Sequence, residues 1–266
     1  MTMSWTVDPG IVVPLITAAL LYAIGARTRR GATLTQMACF WSGWGVLVAA
    51  LVSPLHSWSE ILFWAHMTQH ELLMLVAAPL LVLSRPLVPM LWALPAPERR
   101  RTGRFFKQTG LIRAWHAVSR PLPAWLLHAA ALWVWHAPAL FQAATRNNAI
   151  HALQHITFLG SALLFWWSLF YARQRAAYGE SFIYVFTTAV HTSILGALLT
   201  FSSSAWYPIY RLTAPQAGLT ALQDQQIGGL IMWVPAGIVY LIAGLTLIAL
   251  WLRESDVIAS QRAYAH

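Results

Sequence analysis

Seven apolar stretches, each near the length a helix needs to cross a lipid bilayer, constrain this chain more than any other feature. A hydrocarbon core takes about 20 helical residues, and lipid admits only helices or closed barrels because every backbone polar group must be satisfied internally. The stretches lie at roughly residues 10–26, 34–53, 60–83, 121–137, 148–171, 181–201 and 222–252. The first is short for a span, and the last is long enough to project beyond the lipid. Only 9% of the 266 residues are charged and 58% are hydrophobic, whereas a soluble domain carries about a quarter charged residues. Fifteen tryptophans suit aromatic belts at two membrane interfaces. The expectation is an all-α membrane protein, a seven-transmembrane-helix bundle forming a single polytopic domain over residues 1–266.

Charge orients the bundle. Fifteen of the 17 lysines and arginines fall on one side if seven helices alternate: Arg27, Arg29 and Arg30, then eight between Arg85 and Arg120, then Arg173, Arg175, Arg253 and Arg262. Only Arg146 and Arg211 fall on the other. The positive-inside rule makes the rich side cytoplasmic, with the N-terminus outside and the C-terminus cytoplasmic. The net charge of +9 then reads as topology anchoring beside anionic lipid, and no nucleic acid partner is expected. The stretch Met1–Gly10 has no Lys or Arg, unlike the basic start of a signal peptide, so the first run reads as a retained helix. Residues 84–120 form a basic cytoplasmic loop in which Leu87–Leu94, with Trp92, reads as a short interfacial helix, while Pro86, Pro89, Pro95 and Pro97 argue against a further span. The single cysteine, Cys39, permits neither an intrachain disulfide nor a multi-thiolate metal site.

Inside this frame one pattern occurs twice. His66-Met67-Thr68-Gln69-His70 and His151-Ala152-Leu153-Gln154-His155 both read H-x-x-Q-H. Residues four apart share a helix face. Both runs travel inward, which puts His66 and His70 about 9 and 15 Å below the outer end, and His151 and His155 about 5 and 10 Å, at the helical rise. His136 closes the fourth run, His56 lies in an outer loop, His191 lies about 15 Å below the outer end of the sixth run, and Asp224 opens the seventh. A weak repeat links Pro54, His56, His66 and His70 to His136, Pro138, His151 and His155.

Imidazoles are costly to bury in a membrane unless they are paired or functional. Two readings follow: histidines that glue helices by hydrogen bonds, or a metal site in which His66, His70, His151 and His155 are ligands, with His136 and Asp224 as further ligands or as groups that orient them. Imidazole suits copper, zinc, iron and nickel, and the nearby thioethers of Met67 and Met74 favour copper if they are more than packing. Zinc and haem stay open, although neither motif is the H-E-x-x-H of zinc hydrolases. Gly228 and Gly229 are suited to close helix approach. His191, flanked by Thr187, Thr188, Thr192 and Ser193, is either a polar packing seam or part of a proton or ion path.

Trp64-Ala65-His66-Met67-Thr68-Gln69-His70, Trp135-His136-Ala137-Pro138, His151-x-x-x-His155 and Asp224-Gln225-x-x-Gly228-Gly229 with Met232-Trp233 together resemble CtaG-type cytochrome c oxidase assembly factors, over about residues 35–252. The resemblance implies a seven-helix protein of the bacterial plasma (inner) membrane. It implies a role in maturing an aa- or caa-type terminal oxidase, with copper delivered on the outer side, and it implies a non-enzyme. The partners so implied are terminal oxidase subunits, a periplasmic or extracytoplasmic copper donor and membrane lipid. The rival expectations are a metal or proton transporter, a haem or metal redox enzyme of the membrane, and a scaffold without metal.

Overall fold

Helix starts follow local capping chemistry, and they divide the chain where the apolar runs divide. The computed structural model describes residues 5–28, 32–172 and 178–263; Arg29, Arg30, Arg173, Arg175 and His266 lie outside the described residues. Helix α1 (Pro9–Ala26) begins after Asp8, whose carboxylate accepts from the Gly10 amide at 2.7 Å. Helix α2 (Leu34–Leu51) begins with a reciprocal capping box between Thr33 and Gln36. Asn147 caps α11 (Asn148–Trp167) through the amides of Ala149 and Ile150. Thr220 and Gln223 form the corresponding box before α13 (Ala221–Ala263). These side chains occupy the amides that a helix start leaves without partners.

The third run is one span, Phe63–Ser84, in three pieces: α4 (Phe63–Glu71), a π-helical segment (Leu72–Ala77) and α5 (Ala78–Ser84). A π segment widens the turn and disturbs the ladder of backbone bonds. Here the Trp166 indole reaches across from α11 and donates to the Met74 carbonyl at 2.9 Å. The fourth run differs from its expectation. Helix α9 (Pro121–His136) stops at Ala137, and α10 (Pro138–Arg146) leaves at a 77° bend. Proline cannot donate to the preceding turn and suits the first position of a new helix. The His136 carbonyl, now outside the ladder, accepts from the Tyr207 hydroxyl at 2.9 Å.

The described residues are almost wholly helical, with no strand among them. Six helices are long and apolar enough to cross a membrane, or seven if the bent α9–α10 pair is one span. The chain is a multi-pass membrane protein. The expected short helix appears as α6 (Leu87–Ala93), but the rest of that basic loop is also helical, as α7 (Ala96–Gln108) and α8 (Leu111–Val118). Helix α3 (Pro54–Ser59) precedes α4 as α10 precedes α11, each opening on a proline. The weak sequence repeat thus has a structural form, in which a short helix introduces each motif-bearing helix.

The most extensive packing joins α12 (Tyr178–Thr200) to α13, and glycines allow it. A Cβ on Gly229 would lie 2.7 Å from the Thr200 amide nitrogen and 2.8 Å from the Gly196 carbonyl oxygen. A Cβ on Gly228 would lie 2.4 Å from the Phe63 ring. Helix α13 therefore meets α12 with one glycine and α4 with the next, which sets the position of the helix that carries His66 and His70.

Candidate metal centre

The two motifs meet. Helices α4 and α11 bring His66 against His151 and His70 against His155, with ring centres 5.2 Å apart in each pair. Within each motif the rings are 4.3 Å apart, as four-residue helical spacing requires, and the diagonal His66–His155 distance is 6.4 Å. His136, at the end of α9, is close enough to interact electrostatically with His66 and His70. Phe158 forms one wall, 4.6 Å from His70 and 6.1 Å from His136, and Phe141 another, 5.0 Å from His66.

The hydrogen bonds show which nitrogens are available. His66 Nδ1 contacts the Ser59 carbonyl at 3.3 Å and His136 Nδ1 the Leu132 carbonyl at 2.7 Å. A carbonyl only accepts, so each Nδ1 carries the proton and each Nε2 keeps its lone pair. Both Nε2 atoms are buried without a hydrogen-bond partner, as are Nε2 of His151 and His155 and both ring nitrogens of His70. Orphaned buried polar atoms cost about 1–3 kcal/mol each, and a cation bound through several lone pairs would offset that. A backbone carbonyl behind the ring is also the usual support of a metal-ligating histidine. Among the described residues no three His, Cys, Asp or Glu side chains already stand as a closed coordination set. What the fold supplies is a gathered set of imidazoles whose nitrogens, as placed, do not converge on one point.

Asp224 does not join this set. Its two oxygens accept from the Phe63 and Trp64 amides, at 2.8 and 3.0 Å. The residue before α4 is Leu62, which has no capping side chain, and Asp224 caps that helix from 160 residues away in sequence. Where the sequence suggested a carboxylate that binds metal or steers a ring, the structure shows this one fixing the start of the histidine-bearing helix. Asp224→Ala should therefore destabilise the protein by about 1–3 kcal/mol, measured as a lower thermal midpoint in detergent, without removing any imidazole from the cluster.

Met67 and Met74 are buried in apolar clusters, Met67 with Phe63 and Phe141 and Met74 with Leu132 and Phe165. His191 meets Trp125 edge-on at 5.5 Å, and His128 bonds Ser161 at 3.1 Å. The residue omitted from the expected site is His56. From α3 it lies parallel to His151 at 6.0 Å, and its Nδ1 is 3.0 Å from Gln69 Nε2. Burial holds its imidazole below the ordinary value against the pull of Glu60 and Asp8, leaving it neutral near pH 7. Its position in the outer half of the weak repeat was the only sequence signal for it.

Tyr207 and Tyr210, on the loop between α12 and α13, pack with Phe63 and Phe141 at that end of the bundle; Tyr207 stacks on Phe63 at 4.9 Å. Burial raises both phenols, with the Asp224 charge a second cause at Tyr210, so both remain protonated. Gln225 holds this loop by accepting from the Trp206 amide at 2.6 Å and donating to the Leu199 carbonyl at 3.3 Å.

A multi-pass helical membrane protein with a buried histidine cluster near one end of its bundle is the class that this fold and site define. Within it, the chain belongs to the family described as cytochrome c oxidase caa3 assembly factor, which it matches over residues 20–254. It is 26% identical over 268 residues to uncharacterized proteins of Mycobacterium bovis and Mycobacterium tuberculosis, covering 97% of this chain and 40% of each relative. A Mycobacterium leprae uncharacterized protein is 24% identical, over 96% of this chain and 40% of its own length. The chain thus spans about two-fifths of the length of these relatives. No solved structure matches.

Proposed function

We propose that this chain is an oxidase assembly factor of the bacterial plasma membrane that holds copper in its histidine cluster and passes it to a terminal oxidase subunit. The observation that carries the reading is the meeting of two H-x-x-Q-H motifs, four rings whose neighbours lie 4.3–5.2 Å apart, with buried Nε2 atoms that have no hydrogen-bond partner. Imidazole nitrogen is a good donor to copper and to zinc, and delivery to an oxidase selects copper. The charge bias supports an orientation with the cluster in the outer half of the membrane, the N-terminus outside and the basic loop cytoplasmic. The cluster then faces an extracytoplasmic copper donor and the outer side of the oxidase. The chain binds and releases its cargo without making or breaking a covalent bond in it, and on this reading is not an enzyme.

The test is complementation. A strain lacking this protein should assemble an oxidase with low copper content, and the wild-type gene should restore it. A gene carrying alanine at His66, His70, His151 and His155 should leave oxidase copper at the deletion level while the protein accumulates in the membrane. Full restoration by that variant would leave a scaffold role in place of copper handling.

A further inference from the structure

His56 differs from the other clustered histidines in how its ring nitrogens are used. Gln69 donates to the Ala50 carbonyl at 2.7 Å, and the same amide nitrogen lies 3.0 Å from His56 Nδ1. Because a carbonyl only accepts, the Ala50 contact fixes the amide with its nitrogen toward both partners. His56 therefore accepts at Nδ1 and carries its proton on Nε2. His66 and His136 have the opposite tautomer, with Nδ1 donating to a carbonyl and Nε2 open. They are arranged as standing ligands, whereas the lone pair of His56 is already engaged by Gln69.

His56 also lies on a line into the site. It is only partly buried, on the short outer helix α3, whereas His66 and His70 are almost fully enclosed. Its ring lies within 10° of parallel to His151, and His151 lies within 19° of parallel to His66. Three imidazoles thus step from the outer turn to the first motif, 6.0 and then 5.2 Å apart.

We propose that His56 is a transit ligand for Cu(I), binding the ion at Nδ1 in place of the Gln69 amide hydrogen and passing it through His151 to His66, His70 and His155. When the ion moves on, Gln69 reclaims His56, so the outer position does not retain the cargo. No proton or electron changes place in this exchange; one hydrogen bond opens and re-forms. The proposal rests on the copper reading of the inner cluster.

The test presents Cu(I) on a chromophoric chelator to the purified full-length chain in detergent and follows transfer by absorbance. His56→Phe should slow uptake by about tenfold or more, a rise of about 1.4 kcal/mol in the barrier, while the final amount of bound copper stays near the wild-type level. An unchanged rate would overturn the proposal, as would a loss of bound copper matching that of His66→Ala/His70→Ala, which would make His56 a resident ligand. Gln69→Leu, which frees His56 Nδ1, should slow release to added chelator, and unchanged release would overturn the role given to Gln69. Failure of the underlying copper reading is recognised separately, because the wild-type chain itself would then take up no Cu(I).

Discussion

Loaded with Cu(I) after purification, the His66→Ala/His70→Ala variant is expected to lose almost all of the copper that the wild-type chain holds. Removing a group that merely supports a metal ligand typically costs 10- to 100-fold in affinity, so deleting two ligands should cost about 100-fold or more. The effect should be larger than the helical spacing alone suggests. His66 is the ring whose tautomer is fixed by Ser59, and His70 has both nitrogens buried without partners. Metal analysis of the purified proteins measures this directly. His191→Ala is the control, since its ring meets Trp125 and not the cluster. Equal copper in the double variant and the wild type would make the paired histidines packing groups.

Gly229→Leu should be strongly destabilising at the α12–α13 interface. At Gly228 the obstacle is a Phe63 side chain, which can turn. At Gly229 it includes backbone, the Thr200 amide and the Gly196 carbonyl, which can yield only if α12 and α13 separate along their length. Overpacking of a tight interface costs about 1–3 kcal/mol and sometimes more, and a rigid backbone contact puts Gly229 at the upper end. A detergent unfolding titration should show this loss, with Gly45→Ala as the comparison, because nothing lies within 4 Å of a Cβ placed there. A wild-type unfolding midpoint for Gly229→Leu would mean that α12 and α13 are not held as described.

The spans were legible because hydrophobic length is a local property, and six of the seven runs became single long spans. Features that depend on tertiary partners were not. Nothing in Leu72–Ala77 announces a π segment, since its cause includes the Trp166 indole arriving from another helix. Ala137-Pro138 marked a helix end, but not a 77° turn into α10. The Arg99–Lys107 stretch looked like loop because it is rich in charge and prolines precede it, yet Pro97 sits in the first turn of α7, where proline is tolerated. The paired histidines were legible from their four-residue spacing. That the pairs would meet as one cluster was not, because spacing within a helix says nothing about which neighbour it faces. The capping role of Asp224 was not legible for a similar reason: its partners, the Phe63 and Trp64 amides, are distant in sequence. His56 was passed over because a loop histidine without a spaced partner carries no periodic signal.

The packing inward of His70 bears on the direction of traffic. Phe158, Phe165 and Trp166 are buried there with Met74 and Leu132 in one apolar cluster. On the copper reading, an ion held by the imidazoles would meet mostly apolar side chains on that side, with the buried Glu71 carboxyl among the few polar groups, whereas the histidine steps lead toward α3. If the cluster carries copper as proposed, arrival and departure share the α3 side, and donor and recipient would take turns there.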